Sequence, residues 1–594
     1  MAEKTQLKRR KADYGERYMP RTGLSTHPSD IAYISTNIPC QWACPAHTNI
    51  PGYIQAIHQG DYAKAYAINR LTNLFPGILG RVCSRPCEDK CRHGESDLGE
   101  PVSICHLKRV AADHSEHDYH LAERIFEPSG MSVGIVGGGP AGLAAANSLA
   151  IFGHRVTIYE AMPKLGGMML YGIPDFRVPP ALVEDEIFTV IRKGVQVRLN
   201  VRLGRDVTLE ELRARHDAVV LALGCYSENS LNIPGEDLAN VYFGLDFMMQ
   251  ANQGNPLPVG NKVAVIGGGF TAMDCSRTAL RLGARDVTNF IRRTETEILV
   301  TKDEILETKR EGINIVGLVS PMEFIGDGAV EQVRFVRNRL VGSGHKSGKR
   351  PQAIEGSEFI LDADTVIVAI GQKPGRDVVW LDQEKAPQFE ASGACQLPGL
   401  YLAGDFMGGA STVIEAIGHA QEVAVHCDQY LMGRLRKQWV VSCEASTDTS
   451  RERNWDFLPK NHIPTLPVPQ RLEDAAAEVE TGYPLEIGNR EASRCYLCDL
   501  RYTIHVPDCI YCRWCIERCP RNCIHLASEV QSAEAEGERI SKAGGWNEVA
   551  GIVIASDRCI RCGECLRICP TQCIHVTKVE YVDRLTNQPG AASK

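Results

Sequence analysis

Two runs of cysteines near the end of the chain have the residue type and spacing to bind iron–sulfur clusters. Residues 509–520 and 559–570 both read Cys-x2-Cys-x2-Cys-x3-Cys-Pro. In paired runs of this kind, the fourth cysteine of each run binds the cluster of the other run. Zinc also binds closely spaced thiolates, but paired runs that end in proline favour clusters. The spacing predicts two [4Fe–4S] clusters, one bound by Cys509, Cys512, Cys515 and Cys569 and the other by Cys559, Cys562, Cys565 and Cys519.

A glycine-rich turn near residue 140 predicts a dinucleotide site. It lies between an apolar strand and a helix of small residues, with the pattern G-x-G-x-x-G in Gly137, Gly139, Pro140, Ala141 and Gly142. Such glycines let a pyrophosphate approach the backbone at the helix N-terminus. Glu160 ends the next strand, where an acid accepts a hydrogen bond from a ribose hydroxyl. Gly404 and Asp405 end a later strand, where the phosphates and ribityl chain of a flavin would cross the domain; an ordinary strand-end turn is the alternative.

A second glycine-rich turn repeats the first, offset by 130 residues. It contains Gly267, Gly269 and Ala272, and an alanine at the third position is compatible with a nicotinamide nucleotide. The strand that follows ends in Arg292 and Arg293 rather than in an acid. An acid would repel a 2′-phosphate, whereas a guanidinium group can bind one with two hydrogen bonds. The pattern favours NADP(H) over NAD(H); an exposed basic pair that faces the following glutamates is the alternative.

The composition is that of a globular, multidomain chain. Its 594 residues are too many for one core and predict three or four domains. The net charge of −8 gives no basic excess that would indicate nucleic-acid binding, and no apolar run approaches the ~18 residues that cross a membrane. The basic N-terminus lacks the apolar segment of a secretory signal. We therefore expect a cytoplasmic protein, whose 23 cysteines remain thiols or bind metal.

The elements that position these residues change along the chain. The sequence over 45–125 has helical periodicity. From about residue 130, short β-rich runs such as HRVTIYE and DAVVLALG alternate with helices, which is typical of doubly wound parallel α/β domains. Seven further cysteines are predicted to be ordinary core residues: Cys225, Cys275, Cys395, Cys427, Cys443, Cys523 and Cys573.

Over roughly residues 35–435 the sequence resembles the family of the small, flavin-containing subunit of bacterial glutamate synthase. The resemblance rests on CQWACPAHTNIPGYI, GRVCSRPCEDKC, EPVSICHLKR, GGGPAGLAAA, YGIPDFRVP, GGGFTAMDCSRTALRLGA, IRR, AIGQKP and YLAGDFMGGASTVIEAI. It implies a multidomain α/β fold: an N-terminal helical iron–sulfur domain, an FAD domain with an inserted NAD(P)H-binding Rossmann-like domain, and, from the cysteine runs, a C-terminal α+β ferredoxin-like domain. The expected bounds are 1–30 for a basic arm, 31–127 for the iron–sulfur domain, 128–248 and 369–440 for the FAD domain, 249–368 for the NAD(P)H domain, 441–490 for a linker, and 491–594 for the ferredoxin domain with a preceding Cys-x-x-Cys.

The resemblance also implies roles for single residues. It places the glycines and the turn of one loop near the flavin: Gly166, Gly167, Gly172, Ile173 and Pro174. It closes the flavin site with Gly404, Asp405, Thr412 and Glu415. It assigns Asp274, Arg292 and Arg293 to the nicotinamide nucleotide.

In the N-terminal domain the sequence departs from the family that it resembles. Relatives carry an Arg-Cys-x-x-Cys stretch upstream of the position of Cys40, and this chain lacks it there. The same stretch occurs just before the C-terminal domain, with cysteines at Cys495 and Cys498. We therefore expect these two cysteines to fold back and complete one [4Fe–4S] cluster with Cys40 and Cys91. The alternative is that they bind nothing, which leaves a single N-terminal cluster.

The second N-terminal cluster needs a substitute ligand. Relatives use a Glu or Gln at the position of Lys108, which cannot bind iron when protonated. Cys105 lies one helical turn earlier on the same face and is the available replacement. The expected ligands are Cys44, Cys83, Cys87 and Cys105, which brings the total to four clusters.

These parts predict an electron-transferring oxidoreductase. NAD(P)H would reduce the FAD by two electrons, and the clusters would carry single electrons to or from a ferredoxin or a partner oxidoreductase, such as a 2-oxoacid:acceptor enzyme, in a hetero-oligomeric complex. The chain shows no further domain for a carbon substrate. One alternative is a glutamate synthase small subunit that supplies electrons to a glutamate-forming large subunit. A non-catalytic scaffold is another, but the intact glycines at both turns argue against it.

Overall fold

A computed structural model of the chain describes residues 31–94, 99–115, 126–298, 300–342, 349–375, 389–390, 392–395, 397–447, 451–533 and 537–585. The basic arm expected over 1–30 lies outside this part. The N-terminal domain is helical, as predicted. Proline or an Asx cap starts several of its helices; for example, the Asn49 side chain accepts a hydrogen bond from the Gly52 N–H. Its helices are α1 (Ile31–Asn37), α2 (Pro39–Ala43), α3 (Ile50–His58), α4 (Tyr62–Thr72), α5 (Pro76–Val82), α6 (Pro86–Asp89) and α7 (Ile104–His114).

The first α/β domain begins with a parallel sheet of short strands, which are mostly buried except for the edge strand at residues 196–198. In order, its elements are β1 (Ser132–Val136), α8 (Pro140–Ile151), β2 (Arg155–Tyr159), α9 (Met168–Tyr171), α10 (Pro180–Ile191), β3 (Gln196–Arg198), α11 (Leu209–Arg215), β4 (Ala218–Leu221) and β5 (Ser227–Glu228). Strand β1 lies between β2 and β4, so the chain continues on opposite sides of β1 in the sheet. Ligands bind at the carboxyl end of such a strand.

A second α/β domain is inserted next. Its elements are β6 (Val241–Phe243), α12 (Gly244–Asn252), β7 (Lys262–Ile266), α13 (Phe270–Arg281), β8 (Asp286–Ile291), α14 (Lys302–Arg310), β9 (Asn314–Gly317), β10 (Val319–Ile325), β11 (Gln332–Val341), β12 (Arg350–Ala353), β13 (Phe359–Asp362) and β14 (Thr365–Val368). The parallel sheet has the order β6-β14-β7-β8-β9, and β10 to β13 form a separate antiparallel sheet. The expected boundary after residue 248 falls inside α12, and β6 already belongs to the inserted sheet.

The chain then returns to the first sheet. The returning elements are β15 (Gln372–Lys373), β16 (Leu400–Leu402), α15 (Asp405–Gly408) and α16 (Val413–Met432). Strand β15 pairs with β5, and the completed first sheet has the order β16-β4-β1-β2-β3. The two short strands β5 and β15 therefore form the double connection between the α/β domains, and the predicted insertion of one domain into the other is confirmed.

The rest of the chain contains the C-terminal domain and the segment that leads to it. The elements are β17 (Lys437–Ser446), α17 (Val468–Glu473), α18 (Leu485–Ala492), β18 (Leu500–Ile504), α19 (Trp514–Arg518), β19 (Ile524–Ala533), β20 (Gly537–Lys542), β21 (Gly551–Ile554), α20 (Glu564–Ile568) and β22 (Ile574–Leu585). Two three-stranded sheets have the orders β17-β22-β18 and β20-β19-β21. Strand β17 pairs with β22 over ten residues, so the expected boundary after residue 440 falls inside a strand of the C-terminal sheet.

The segment expected to be a linker is packed rather than extended in solvent. Residues 464–482, here called the strap, fold back on themselves through a hydrogen bond from the Leu466 N–H to the Val479 carbonyl (2.9 Å). Arg471 in the strap is buried, and its Nη1 lies 2.7 Å from a carboxylate oxygen of Glu307 in the inserted domain. Glu478 forms ion pairs with Arg81 and Arg109 of the N-terminal domain (2.6 and 2.8 Å).

The cysteines predicted to be core residues are mostly buried. Cys225, Cys275, Cys427, Cys523 and Cys573 are all buried. Two others depart from the prediction: Cys395 is only partly buried, and Cys443 is exposed, as are the next two residues of β17. No helix in the described ranges is long and apolar enough to cross a lipid bilayer.

Candidate functional site

The first glycine-rich turn forms a narrow cradle at the carboxyl end of β1. A Cβ atom on Gly137 (φ +106°) would lie 2.3 Å from the Ala222 carbonyl oxygen, so no side chain fits there. Gly139 is the N-cap of α8, and Pro140, Ala141 and Gly142 form the first turn of this helix. The unpaired N–H groups of that turn point away from the helix, as a pyrophosphate site requires.

Two other loops close on the same turn. The Gly166 N–H donates to the Gly138 carbonyl (2.9 Å), which brings Gly167 next to Gly139. Gly404 has φ +62°, and a Cβ on it would lie 2.5 Å from the Ala141 Cβ. The loops that the sequence assigned to one flavin site therefore converge on the start of α8.

The acids at this site are hydrogen-bonded; Glu160 is buried and Asp405 is partly buried. The Glu160 carboxylate accepts hydrogen bonds from the N–H groups of Gly138 (2.6 Å) and Met162 (2.7 Å). Burial raises the pKa of Glu160 above its ordinary value, and these two N–H groups partly oppose the shift. Burial likewise raises the pKa of Asp405, which accepts a hydrogen bond from the Ser411 hydroxyl. A ribose hydroxyl could reach Glu160 only by joining or displacing its contact with the glycine turn.

Thr412 and Glu415 have a structural role at the start of α16. The Thr412 Oγ1 accepts a hydrogen bond from the Glu415 N–H (3.3 Å), and the Glu415 carboxylate accepts one from the Thr412 N–H (2.9 Å). This reciprocal pair is a capping box that fixes the helix N-terminus. A second contact behind the site was not predicted: the Gly404 N–H donates to Nδ1 of His419, also on α16 (2.9 Å). The alternation of small and apolar residues in α16 gives no signal for that histidine.

The second glycine-rich turn reproduces the geometry of the first. The Gly267 N–H donates to the carbonyl at the end of β8 (Phe290, 3.0 Å), as Gly137 does to Tyr159 at the end of β2 (2.8 Å). Gly269 is the N-cap of α13, and the buried Ala272 lies in its first turn. A Cβ on Gly269 would meet no atom within 4 Å, so the helix start is open to a ligand.

Arg292 and Arg293 follow β8 beside this turn. Arg292 is exposed, and Nε of the partly buried Arg293 has no hydrogen-bond partner. The two glutamates that could have neutralised them have other partners: Glu295 pairs with Lys309 (2.7 Å), and Glu297 caps Thr294. No ion pair of either arginine occurs in the described ranges, and a contact of these side chains with a 2′-phosphate stays a prediction.

Asp274, which the resemblance assigns to the nicotinamide nucleotide, lies in the helix that begins at the second glycine turn. It is buried in α13 and forms an ion pair with Arg177 of the first α/β domain. Arg177 also pairs with Glu304 of α14, and the guanidinium groups of Arg277 and Arg281 lie over the Phe176 ring (4.8 and 4.0 Å to its centre). This buried network joins the two α/β domains, and the role of Asp274 at the nucleotide stays a prediction.

Three cavities are each lined by four of the predicted cysteine ligands. The first contains Cys509, Cys512, Cys515 and Cys569, and the second contains Cys519, Cys559, Cys562 and Cys565. The third contains Cys40, Cys91, Cys495 and Cys498. The fold thus places the cysteines of each expected set around one cavity, and their binding of clusters stays a prediction.

The remaining N-terminal cysteines surround a buried lysine. Burial alone would lower the pKa of the Lys108 ammonium, but the neighbouring side chains of Cys83, Cys105, Cys87 and Cys44 raise it above its ordinary value. The Cys105 thiol donates to the carbonyls of Leu79 (3.3 Å) and Gly80 (3.4 Å) in α5. The structure brings these cysteines together, and Cys105 would have to give up both hydrogen bonds to bind iron.

The donor sets fit clusters rather than single ions. In the described ranges, no three Cys, His, Asp or Glu side chains are placed to hold one metal ion. Four thiols around a shared cavity are instead the donor set of a [4Fe–4S] cluster. Each of the three cavities is also lined by aliphatic side chains, such as Ile54 and Ile104 beside Cys40, and burial among such residues is one of the factors that set the potential of a cluster.

The glycine turns, the inserted α/β domain and the cysteine cavities define a pyridine-nucleotide-dependent flavoprotein oxidoreductase with iron–sulfur domains. Three family models match the chain: pyridine nucleotide-disulphide oxidoreductase over residues 131–422, dihydropyrimidine dehydrogenase domain II with a 4Fe-4S cluster over 33–119, and the 4Fe-4S dicluster domain over 508–573. Cys495 and Cys498 lie between the matched regions.

Curated relatives extend the match to most of the chain. The NADP(+)-dependent formate dehydrogenase subunit beta of Moorella thermoacetica is 35% identical over 81% of this chain and 72% of that protein. The NADPH-Fe(3+) oxidoreductase subunit beta of Geobacter sulfurreducens is 34% identical over 77% of this chain and 75% of that protein. The glutamate synthase [NADPH] small chain of Azospirillum brasilense is 32% identical over 75% of this chain and 97% of that protein. The chain belongs to this family of iron–sulfur flavoprotein electron-transfer subunits.

Proposed function

We propose that the chain exchanges electrons between NADP(H) and a partner oxidoreductase or ferredoxin by means of bound FAD and four [4Fe–4S] clusters. The observation that carries this proposal is the cavity shared by Cys40, Cys91, Cys495 and Cys498, because it joins the N-terminal and C-terminal domains through thiols from both. When bound, the flavin takes up the two electrons of a hydride and the clusters take electrons singly. The protein supplies the binding sites and their order.

The two glycine turns would hold the nucleotides. Gly137, Gly139 and the N-terminus of α8 would bind the FAD pyrophosphate, with Glu160 toward a ribose and the Gly404–Asp405 turn closing the site. Gly267, Gly269 and Ala272 would bind the NADP(H) pyrophosphate, with Arg292 and Arg293 on the 2′-phosphate. Support for the second assignment is the Arg293 Nε, which has no partner within the described ranges.

The ligand sets follow the cavities. We assign the three sets described above to three clusters and Cys44, Cys83, Cys87 and Cys105 to a fourth. Sixteen thiolate ligands require a reducing compartment, so we place the protein in the cytoplasm.

The four cysteine sites form an ordered series. The site of Cys44 adjoins the flavin domain, since a Cβ on Gly418 of α16 would lie 2.4 Å from the carbonyl oxygen of Pro45. Cys44 lies four residues from Cys40, which belongs to the site shared with Cys498. That site adjoins the Cys559 site, because the Arg92 side chain contacts both Cys498 and Cys559. The Cys509 site is the last in the series.

The last site offers an exit to a partner. Ile510 lines the Cys509 cavity and is 63% exposed, and Trp514 in the following helix is 50% exposed. Exposed apolar side chains next to a redox site are typical of a surface that another protein covers. The relatives named above are subunits, which supports a hetero-oligomer, and we infer that the partner covers Ile510 and Trp514.

A glutamate synthase small subunit is the second candidate. The relative of that name matches over 97% of its own length but over 75% of this chain. The C-terminal cysteine sites speak against this candidate, because a glutamate synthase small subunit would already pass its electrons through two N-terminal clusters. Glutamine-dependent glutamate formation after mixing with a large subunit would favour this candidate.

Anaerobic titration of the full chain with NADPH tests the proposal. We expect the flavin absorbance to bleach and the EPR signals of reduced clusters to appear, with about sixteen irons per chain for four clusters. In the double variant Cys495→Ser, Cys498→Ser, electrons should no longer reach the C-terminal clusters, whereas the exposed Cys443→Ser should behave like the wild type. A flavin that stays oxidised with NADPH, or bleaches while every cluster stays oxidised, would contradict the proposed function.

A further inference from the structure

Two buried guanidinium groups fill the space between the Cys498 cavity and the Cys559 cavity. Arg92 follows Cys91 in the N-terminal domain, and Arg561 lies inside the second cysteine run. Their exposed fractions are 4% and 1%. Burying a charge is costly unless an opposite charge or strong hydrogen bonds compensate it. The burial of these two charged side chains therefore has to be explained by their contacts.

Each arginine contacts cysteine residues of both sites. Nη1 of Arg92 lies 3.7 Å from Sγ of Cys498, and its Nη2 donates to the Cys559 carbonyl (3.3 Å). Nη2 of Arg561 donates to the Cys498 carbonyl (3.3 Å), and its Nη1 donates to the Cys559 carbonyl. Further hydrogen bonds hold the two groups, from Arg92 to the Ser556 carbonyl (3.2 Å) and from Arg561 to the Leu500 carbonyl (2.9 Å). The pair thus clamps the two sites together.

The internal repeat shows that this arginine is not required by the cysteine run itself. Arg561 corresponds to Tyr511 in the first run, and both residues have φ +54°. Tyr511 is only partly buried, in the copy that faces away from the junction. The backbone therefore accepts an uncharged residue here, and the charge occurs in the copy that meets the N-terminal domain.

Part of the charge that compensates these arginines would come from the sites that they join. Within the described ranges, neither guanidinium lies within ion-pair distance of a carboxylate, although the buried Asp499 helps to raise the pKa of Arg561 from farther away. Both groups donate to carbonyl oxygens, and Nη1 of Arg92 also lies near Sγ of Cys498. A [4Fe–4S] cluster with four thiolate ligands carries a net negative charge, which would stabilise two buried cations. Net charge and hydrogen bonds near the sulfurs are among the factors that set the potential of such a cluster.

We propose that Arg92 and Arg561 are positioning residues for electron transfer between the N-terminal and C-terminal domains, holding the two cysteine sites at a fixed separation and raising the reduction potential of both clusters. The transfer itself moves one electron, so one site is oxidised as the other is reduced, with no bond or proton change. The inference rests on the proposed function, because it requires clusters at both sites.

The test uses full-length R92Q, R561Q and R561K, with R584Q as the control, since Arg584 lies on β22 of the same domain and is exposed. Cluster potentials are measured by EPR during reduction with dithionite and mediators, and iron and sulfide are counted in each variant. At a fixed potential, R92Q and R561Q should lower the ratio of reduced to oxidised cluster at the flanking sites by about tenfold, the scale of one nearby charge. R561K should restore most of this ratio, and R584Q should match the wild type.

Unchanged potentials in R92Q and R561Q at full iron content would overturn the proposal. Loss of the clusters from R92Q, R561Q and R561K alike would also overturn it, because the arginines would then have only a structural role. Reduction with dithionite does not depend on NADPH. If NADPH fails to reduce any cluster of the wild type while these potentials shift as expected, the proposed function fails and the inference about the arginines stands.

Discussion

Replacing Arg471 with methionine should release the strap from the inserted α/β domain. The guanidinium group is 2% exposed, donates to Glu311 (3.1 Å) and lies 2.7 Å from Glu307. Methionine keeps much of the apolar stem but leaves both carboxylates without this partner. Removing one member of a buried ion pair costs about 3–5 kcal/mol. Glu311 keeps Arg277 and Arg281 (both 2.7 Å), so we expect a value near the lower limit, ~3 kcal/mol.

A loss of ~3 kcal/mol corresponds to about a hundredfold larger population of the open strap. Hydrogen exchange read by mass spectrometry measures it directly, because the Leu466 and Val479 N–H groups are bonded only while the strap is closed (2.9 Å each, to the Val479 and Phe176 carbonyls). The control is Arg490→Met, an exposed arginine on α18. Exchange in Arg471→Met at the wild-type rate, or equal acceleration in both variants, would refute the reasoning.

Three further predictions concern the binding sites. Gly404→Ala should lower the FAD content of the purified protein, because the new methyl group would overlap Ala141. The control is Gly433→Ala, which has a similar φ of +66° but lies in open space and should retain its FAD. The measurement is the flavin released per chain, and equal content in both variants would contradict the proposed packing around the first glycine turn. Arg293→Gln should reduce kcat/KM for flavin reduction by NADPH about tenfold or more, because it removes one charge-assisted hydrogen bond, and should change kcat/KM for NADH little. Equal losses of kcat/KM for both nucleotides would contradict a 2′-phosphate contact. The double variant Cys495→Ser, Cys498→Ser should lose about four irons per chain by quantitative iron assay, and an undiminished iron content would show that these thiols bind no cluster.

Much of the fold was predictable because its chemistry has strict spacing. A cysteine run or a glycine turn works only with fixed intervals and with a strand and helix on either side, so the residues predict the elements around them. The ligand exchange between Cys519 and Cys569 follows from the same rule. The nearness of Cys495 to Cys40 was predictable only by comparison with a family that has the pair elsewhere in its sequence.

The strap and the arginine junction could not be predicted, because their signals are single charged residues far apart in sequence. Arg471 pairs with Glu311, 160 residues away, and Arg92 with carbonyls more than 460 residues away. No periodicity links such positions, and a polar segment with several prolines has the composition of a free linker. Arg561 lies inside a cysteine run, but Arg513 and Arg518 lie inside the other run, so its presence there gives no distinct signal.

The ten paired residues of β17 and β22 determine how the C-terminal domain can behave. Strand β17 directly follows the last helix of the flavin domain. The C-terminal domain is therefore joined to the flavin domain by strand pairing and not by a flexible linker. The C-terminal domain therefore cannot move as a mobile electron carrier does, and an electron acceptor must bind to its surface. Removing the domain would also bare the edge of β17, where unpaired backbone groups invite aggregation.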